Sequence, residues 1–504
     1  MSTAEELGFG DTVSLRERVQ AKPRPAIVWS AVATVLLLVE AAAVLEFAGS
    51  FAVDTVRALN GIRLLPFQID PTGAVQFRQF AADLPRLLSR RTITAHGFYS
   101  IEAEQWVVGP TYYDGQRWVG TFMSLEPKHA WLLRFLLVYA YTAVGLAWIW
   151  TGYKWWRRHY RAAEWTPRDD VVDRFRSHSW GVLGMVIVLL FMTTVLFGPT
   201  MATTTNQVNN VDPYSYETRY YDADAESVER ISIGVANSNT ISDNGQTVGP
   251  WSYDQYGRFH PFGTMPGGQD LFTFVMFGAR LSIIIGLVTV GLSTLLATTA
   301  AMVSAYFKGY VDLGMVLLSD AIFALPGLLL LIMLSVVLGN SWIAEVYDGG
   351  LLLALIFAGT GWPGLWRSIR GPALQIAERD WVDAAKAYGQ RPSVVMRKHI
   401  LPYITGYLLV YGSMSLGGII IGIAGLSYLG LGIDPPAPEW GRAVSLGQPY
   451  IQGSSWHISI IPGLLVTVVV IGFNALGDGF RDAIDPESDA ESADTGGAER
   501  GGGA

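Results

Sequence analysis

The chain contains no cysteine, which excludes disulfides, thiolate metal sites and cysteine nucleophiles. Charge is scarce too: 15% of the 504 residues are Asp, Glu, Lys or Arg, and their balance is −8. A chain of that sign lacks the basic face that nucleic acid requires. The seven histidines are scattered, without the convergent His, Asp or Ser set of a membrane enzyme and without a metal-ligand cluster. No Gly-Lys-Ser or Gly-Lys-Thr occurs, so there is no phosphate-cradling loop, and any ATP must be hydrolysed by another subunit.

Apolar residues are what the chain has in quantity. They make up 50% of it, and the mean hydropathy is +0.30, unusual for a soluble chain of this length. A bilayer core needs about 20 apolar residues in helical form. Eight runs approach that size, near 26–48, 130–151, 180–201, 272–306, 313–339, 350–368, 403–427 and 458–477. The first reads as a retained span, because more than 20 residues precede it and Glu40 and Glu46 interrupt it without a small-residue cleavage site. The expected fold is therefore an all-α polytopic membrane protein with a small external domain.

Orientation follows from the short flanks. Arg16, Arg18, Lys22 and Arg24 precede the first run, and Lys154, Arg157, Arg158, Arg161, Arg168, Arg174 and Arg176 crowd the link between the second and third. Positive charge in short loops marks the cytoplasmic side, so both termini are expected there, and segments 49–129 and 202–260 outside. Segment 49–129 carries seven acidic and eight basic side chains and alternates in Gln105-Trp-Val-Val108 and Gln116-Arg-Trp-Val-Gly-Thr-Phe122. It predicts a small folded domain with strands and a core of Trp106, Val108, Trp118 and Phe122. Segment 202–260 holds eight acids against three bases and predicts a solvated loop with little core. The organisation expected is a cytoplasmic N-terminus (1–25), two helices flanking the external domain (26–177), a first core helix with its acidic loop (178–271), a helical core (272–486) and a disordered acidic tail (487–504).

Between the sixth and seventh runs stands Asp383-Ala-Ala-Lys-Ala-Tyr-Gly389, followed after nine residues by His399-Ile-Leu-Pro402. Gly389 can end one short helix in a left-handed conformation, and Pro392 suits the first turn of the next. Arg367, Arg370, Arg379, Lys386, Arg391, Arg397 and Lys398 lie in or beside this stretch and place it in the cytoplasm. It reads as a docking element with charged contacts at its rim, and Ala384, Ala385 and Ala387 allow close approach.

The layout resembles the cytoplasmic coupling loop of binding-protein-dependent ABC transporter permeases: Glu-Ala-Ala, three residues, Gly, nine residues, Ile-x-Leu-Pro. Asp383 stands for the Glu and His399 for the Ile. Four further stretches narrow the resemblance to the C-type permease subunits of dipeptide, oligopeptide and nickel importers. They are His260-Pro-Phe-Gly-Thr-Met-Pro-Gly-Gly-Gln-Asp270, Gly278-Ala-Arg-Leu-Ser282, Tyr428-Leu-Gly-Leu-Gly-Ile-Asp-Pro-Pro-Ala-Pro-Glu-Trp-Gly441 and Phe473-Asn-Ala-Leu-Gly-Asp-Gly-Phe-Arg-Asp-Ala-Ile-Asp-Pro486. The resemblance covers roughly 178–486, and Met265 departs from it where relatives carry Asp.

It implies a six-helix core plus two N-terminal helices in the plasma membrane, in a subunit that imports peptides; nickel or another solute, or an ion-coupled secondary transporter, is the alternative. It further implies a B-type permease partner, two ATPase subunits that carry ATP and Mg, and an external binding protein. By the same resemblance Asp383, Ala384, Ala385, Gly389, Arg391, His399, Leu401 and Pro402 couple to the ATPases. Asp320 and Pro326, inside the fifth run, are candidates for the translocation path, since an ionisable group there is costly. Glu40 is expected to pair with another helix, Trp155–Tyr160 to contact inner-leaflet lipid, and Gly417, Gly418, Gly422 and Gly425 to pack against the partner permease.

Overall fold

The computed structural model describes residues 14–61, 68–84, 86–161, 165–240 and 248–484; the tail from Asp485 lies outside them. Its axis is α8 (Leu271–Phe307), 37 residues long, or about 56 Å at 1.5 Å per residue. Around it pack α6 (Ser179–Met201), α11 (Gly350–Ala377) and α14 (Leu401–Tyr428), with α16 (His457–Ile484) laid against α6 and α14. Lipid supplies no hydrophobic force between helices, so close backbone approach through small residues holds them. At the α6–α16 contact, a Cβ on Gly181 would lie 2.7 Å from Gly479 Cα, and one on Gly184 2.4 Å from Leu476 N.

All eight apolar runs are helical, but not as eight equal spans. Six helices among the described residues are long and apolar enough to cross a membrane. The run at 313–339 is two helices, α9 (Gly309–Phe323) and α10 (Gly327–Leu338), bent by 82°; together they could make a seventh span. α11 fills the run at 350–368 yet is not among the six, since its Gly, Pro and Arg residues dilute it.

Ahead of this core, α1 (Leu15–Ala21) and α2 (Pro23–Gly61) lead to α3 (Thr72–Asp83), α4 (Pro127–His159) and α5 (Pro167–Ser177). α2 leaves helical geometry at Glu40 (φ −154°, ψ 34°), so its apolar span ends at residue 40, short of the 48 expected. Buried Glu40 accepts from the backbone N–H of Leu88 at 3.1 Å; its partner is a loop amide, where another helix was expected. α2 and α4 clasp through stacked Trp29 and Trp148, 4.2 Å apart, each indole donating to the other's carbonyl. Buried Arg134 ties α4 to the C-terminal end of α6, donating to Ile93 O (3.0 Å) and Ala202 O (2.9 Å), where the helix dipole favours a cation.

The described parts of segments 49–129 and 202–260 do not fold separately. Strands β1 (Phe98–Ser100) and β2 (Gln105–Val108) join β5 (Tyr216–Asp222) and β6 (Ser227–Ser232) in one antiparallel sheet of order β2-β1-β5-β6. The hairpin of β3 (Tyr112–Tyr113) and β4 (Trp118–Val119) flanks it. Its core is Phe98, Val108, Val208 and Ile233, the last on α7 (Ile233–Thr240). Of the expected core, Val108 is buried there, whereas Trp106 sits half-exposed on the sheet. Trp118 stacks on Tyr253 of the small ribbon β7–β8 (Ser252–Tyr253, Phe259–His260), and Phe122 packs against the helical core. The described parts of 202–260 are thus structured where a solvated loop was expected: β5 lies against β1, more than 100 residues away in the chain.

Candidate functional site

The stretches around Lys22, Tyr160, His178 and Asp482 gather at one pole. Tyr160 donates to Lys22 O at 2.6 Å, His178 Nε2 lies 2.9 Å from Asp482, and Ile484 approaches Gly406. Tyr160 is buried in this clasp, although lipid contact was expected of it; Trp156 remains exposed. At the same pole α12 (Asp380–Ala387) and α13 (Pro392–Val395) form a helical hairpin, and a π-turn (Met396–Ile400) then feeds α14.

Gly389 makes the turn. Its φ is +71°; its N–H bonds Lys386 O at 2.9 Å, and that of Gln390 bonds Ala385 O at 3.2 Å. This is the paired closure of a Schellman cap. Val382, Ala385 and Val395 are buried together against Tyr306 near the end of α8, while Lys308 reaches Glu378 at 3.1 Å. Ala385 therefore faces the chain's own core and cannot serve the close approach expected of it. Asp383, Ala384, Ala387, Tyr388 and Arg391 form the exposed face, with Tyr388 88% exposed. Asp383 pairs locally with Lys386 at 3.2 Å, a contact worth only a few tenths of a kcal/mol at a surface. His399 spans the hairpin to Gln390 Oε1 at 3.0 Å. Leu401 packs into the core formed with Trp366 and Ile404, and Pro402 opens α14, where a missing N–H costs nothing.

The two path candidates stand on the flank of this pole. Pro326 sits at the 82° break as the residue before α10. Asp320 is ion-paired with Arg367 of α11, whose Nε also donates to Ser319 at 2.9 Å; about two turns earlier on α9, Asp312 pairs with Arg370. The two guanidinium pairs fasten α9 to α11, a link that sequence reading missed because its partners are 47 and 58 residues apart. Two of the four span-seven glycines are used inside the chain. A Cβ on Gly417 would sit 3.3 Å from Phe473 and one on Gly422 2.9 Å from Phe357, whereas Gly418 and Gly425 have open space.

At the opposite end of α8 lies a buried polar knot. Asp270 caps the helix, accepting from the N–H of Thr273 (2.7 Å) and from Thr203 at the end of α6 (2.7 Å). His260 bridges Asp270 (2.9 Å) and Asp254 (3.5 Å), and Asp254 holds Arg258 at 2.6 Å. Burial pushes His260 down, but the flanking carboxylates of Asp254 and Asp270 outweigh that and hold it above the ordinary histidine value. Burial acts on both carboxyls in the opposite sense, and the cations of Arg258 and His260 keep Asp254 low, as His260 keeps Asp270. Further down α8, Arg280 donates to Val195 O (2.7 Å), the carbonyl that Pro199 leaves without its helical donor. Gly278 admits the ring of Trp440, the first residue of α15 (Trp440–Gly447), whose Nε1 donates to Val275 O at 2.8 Å.

The model for the binding-protein-dependent transport system inner membrane component matches residues 293–489, and that for the N-terminal TM domain of oligopeptide transport permease C matches 166–227. The chain is 30% identical over 322 residues to the glutathione transport system permease protein of Escherichia coli, covering 64% of this chain and 91% of that one. It is 33% identical to the dipeptide transport system permease protein of Alkalihalophilus pseudofirmus over 45% and 72% of the two chains. To the oligopeptide transport system permease protein of Bacillus subtilis it is 29% identical over 63% and 89%. The chain belongs to the binding-protein-dependent inner membrane component family. The matched regions of this permease hold the hairpin, the α9–α11 fastening and α6, while α2–α4 and strands β1–β4 precede both matches.

Proposed function

We propose that this permease is the C-type subunit of an ATP-driven importer of peptides, in the plasma membrane with both termini cytoplasmic, and that the 378–402 hairpin couples it to two ATPase subunits carrying ATP and Mg. The observation behind this is the two-sidedness of the hairpin. Its inner face is anchored on Tyr306 and on α14, and its outer face presents Ala384, Ala387 and Tyr388 with charge at the rim. A soluble subunit pressing on the outer face would shift α8, α11 and α14 as one body, since the hairpin has no flexible tether to any of them. Asp383 and Arg391 steer that contact more than they stabilise it. A B-type permease supplies the other half of the pore, and an external binding protein delivers cargo to the end of the molecule that carries the sheet.

Peptide cargo is supported by the relatives, which are named for dipeptide, oligopeptide and glutathione transport; nickel is in none of these names. Alternating access follows: closure of the ATPases moves the hairpin, and the bundle opens away from it. The test is uptake of a labelled dipeptide by vesicles holding this permease with its partners. Uptake should require ATP and both ATPase subunits. Uptake driven by an ion gradient with no ATPase present would overturn the proposal in favour of a secondary transporter.

A further inference from the structure

The shared sheet carries two arginines in an arrangement that costs stability by itself. Arg219 on β5 and Arg230 on β6 are directly opposed partners in the antiparallel register, so both side chains leave the same face a few ångströms apart, and like charges so placed repel. Tyr99 opposes both Trp106 and Glu217, which puts these residues on that face too, because alternate residues along a strand share a face. The aromatics act as a cradle. Arg219 lies 5.2 Å from the Trp106 ring centroid, and Arg230 lies 5.0 Å from Tyr99 and 5.9 Å from Trp106. Tyr99 and Trp106 meet edge to face at 5.5 Å.

The neighbouring acid is not enough to neutralise the pair. Glu217 lies 3.7 Å from Arg230, one carboxylate against two guanidinium groups, and Arg230 keeps 45% of its side chain exposed. Stacking on an aromatic face fixes the plane of a guanidinium while leaving its N–H fork free for a carboxylate. A face so built carries one cation in excess of its acid, on a chain whose net charge is −8, and offers its guanidinium forks to carboxylates of an opposing surface.

We infer that the Tyr99–Trp106–Arg219–Arg230 face is a docking surface for a carboxylate-bearing surface of the external binding protein. Two observations choose that occupant: the family is binding-protein-dependent by its own description, and the sheet lies at the end of α8 opposite the coupling hairpin. The inference rests on the importer reading above. Strands β1 and β2 fall before both matched regions and β5 inside one, so the patch is assembled partly from segments outside the family core.

The test uses the whole importer in nanodiscs, with its ATPases and the binding protein that supports uptake, and reads ATPase stimulation as binding protein is titrated. Arg219→Gln/Arg230→Gln should raise the half-stimulating concentration by about tenfold, and Arg219→Glu/Arg230→Glu by more, with the maximal rate kept. The Gln pair should melt at or above the native temperature, since the repulsion is gone; a purely structural pair would melt lower. If the unaltered complex responds to binding protein and the variants respond with the same half-point, the importer reading stands and the docking surface is overturned. If the unaltered complex does not respond at all, the importer reading falls and takes this inference with it. An unmoved half-point with altered binding to phosphatidylglycerol vesicles, or with an altered oligomeric state of this chain, assigns the patch to lipid or to self-association and also overturns it.

Discussion

Gly389→Val isolates the backbone of the coupling turn. At φ +71° an L-residue places its Cβ against the following carbonyl, which costs about 1–2 kcal/mol, at the upper end for a β-branched side chain. No heavy atom lies within 4 Å of the Cβ position, so no packing clash adds to that figure. Relief requires the residue to leave the left-handed region, which breaks the bonds from Gly389 to Lys386 and from Gln390 to Ala385. The hairpin's buried anchor is small, three aliphatic side chains and Tyr306, and it cannot absorb the loss. A cost of about 1–2 kcal/mol is a factor of about 5–30 in the ratio of closed to open turn. Hydrogen exchange read over 380–400 should accelerate by that factor in the Val variant, and recovery of ATPase subunits with the permease should fall with it. Gly389→Asn, whose side chain tolerates this conformation, should stay near native. Equal exchange in Val and Asn variants would refute the argument, since it would show that φ at this residue does not hold the turn.

Asp383→Asn removes only a surface pair with Lys386 and should change stability by no more than about 0.5 kcal/mol by melting; Asp383→Lys should reduce ATPase recovery at equal expression. Gly97→Val would bring a Cβ to 1.8 Å from Gly109 O, and proteolysis added on the sheet side should then open 86–127 and 202–240 together, because their strands share one ladder. The polar knot at Asp270 has a pH signature. His260 is raised above its ordinary 6.5, so its contribution is complete below that pH and lost as pH rises through the raised value. Asp254 and Asp270 are lowered from 3.8, so theirs is complete above that value and lost as pH falls through the lowered ones. Thermal stability of the sheet region should peak between, and His260→Gln should abolish its decline on the alkaline side.

What the sequence made legible was local. Apolar runs located the helices, because about 20 such residues have few other fates. The hairpin could be read because Gly389 and Pro392 carry their backbone preferences wherever they stand. Long-range choices were hidden. The pairing of Tyr99 with Glu217 and that of Arg367 with Asp320 depend on which segments the helices bring together, and alternation alone cannot name a strand's partner. Ala385 shows the limit within one motif: Ala384 and Ala385 look alike in sequence, and only the rotation of α12 over Tyr306 buries one and exposes the other. Pro326 stood out inside the fifth run, but the 82° turn beside it could not be sized from sequence, because it depends on where α9 and α10 find their partners.

Because the chain has no cysteine, a single introduced thiol reports one position, and cross-linking tests the coupling assignment most directly. Ala384→Cys and Ala387→Cys, on the exposed face of α12, should each cross-link to an ATPase subunit in transport-competent membranes, while Glu229→Cys on the sheet at the other pole should not. Failure of both hairpin cysteines to reach an ATPase in a complex that still transports would contradict the account.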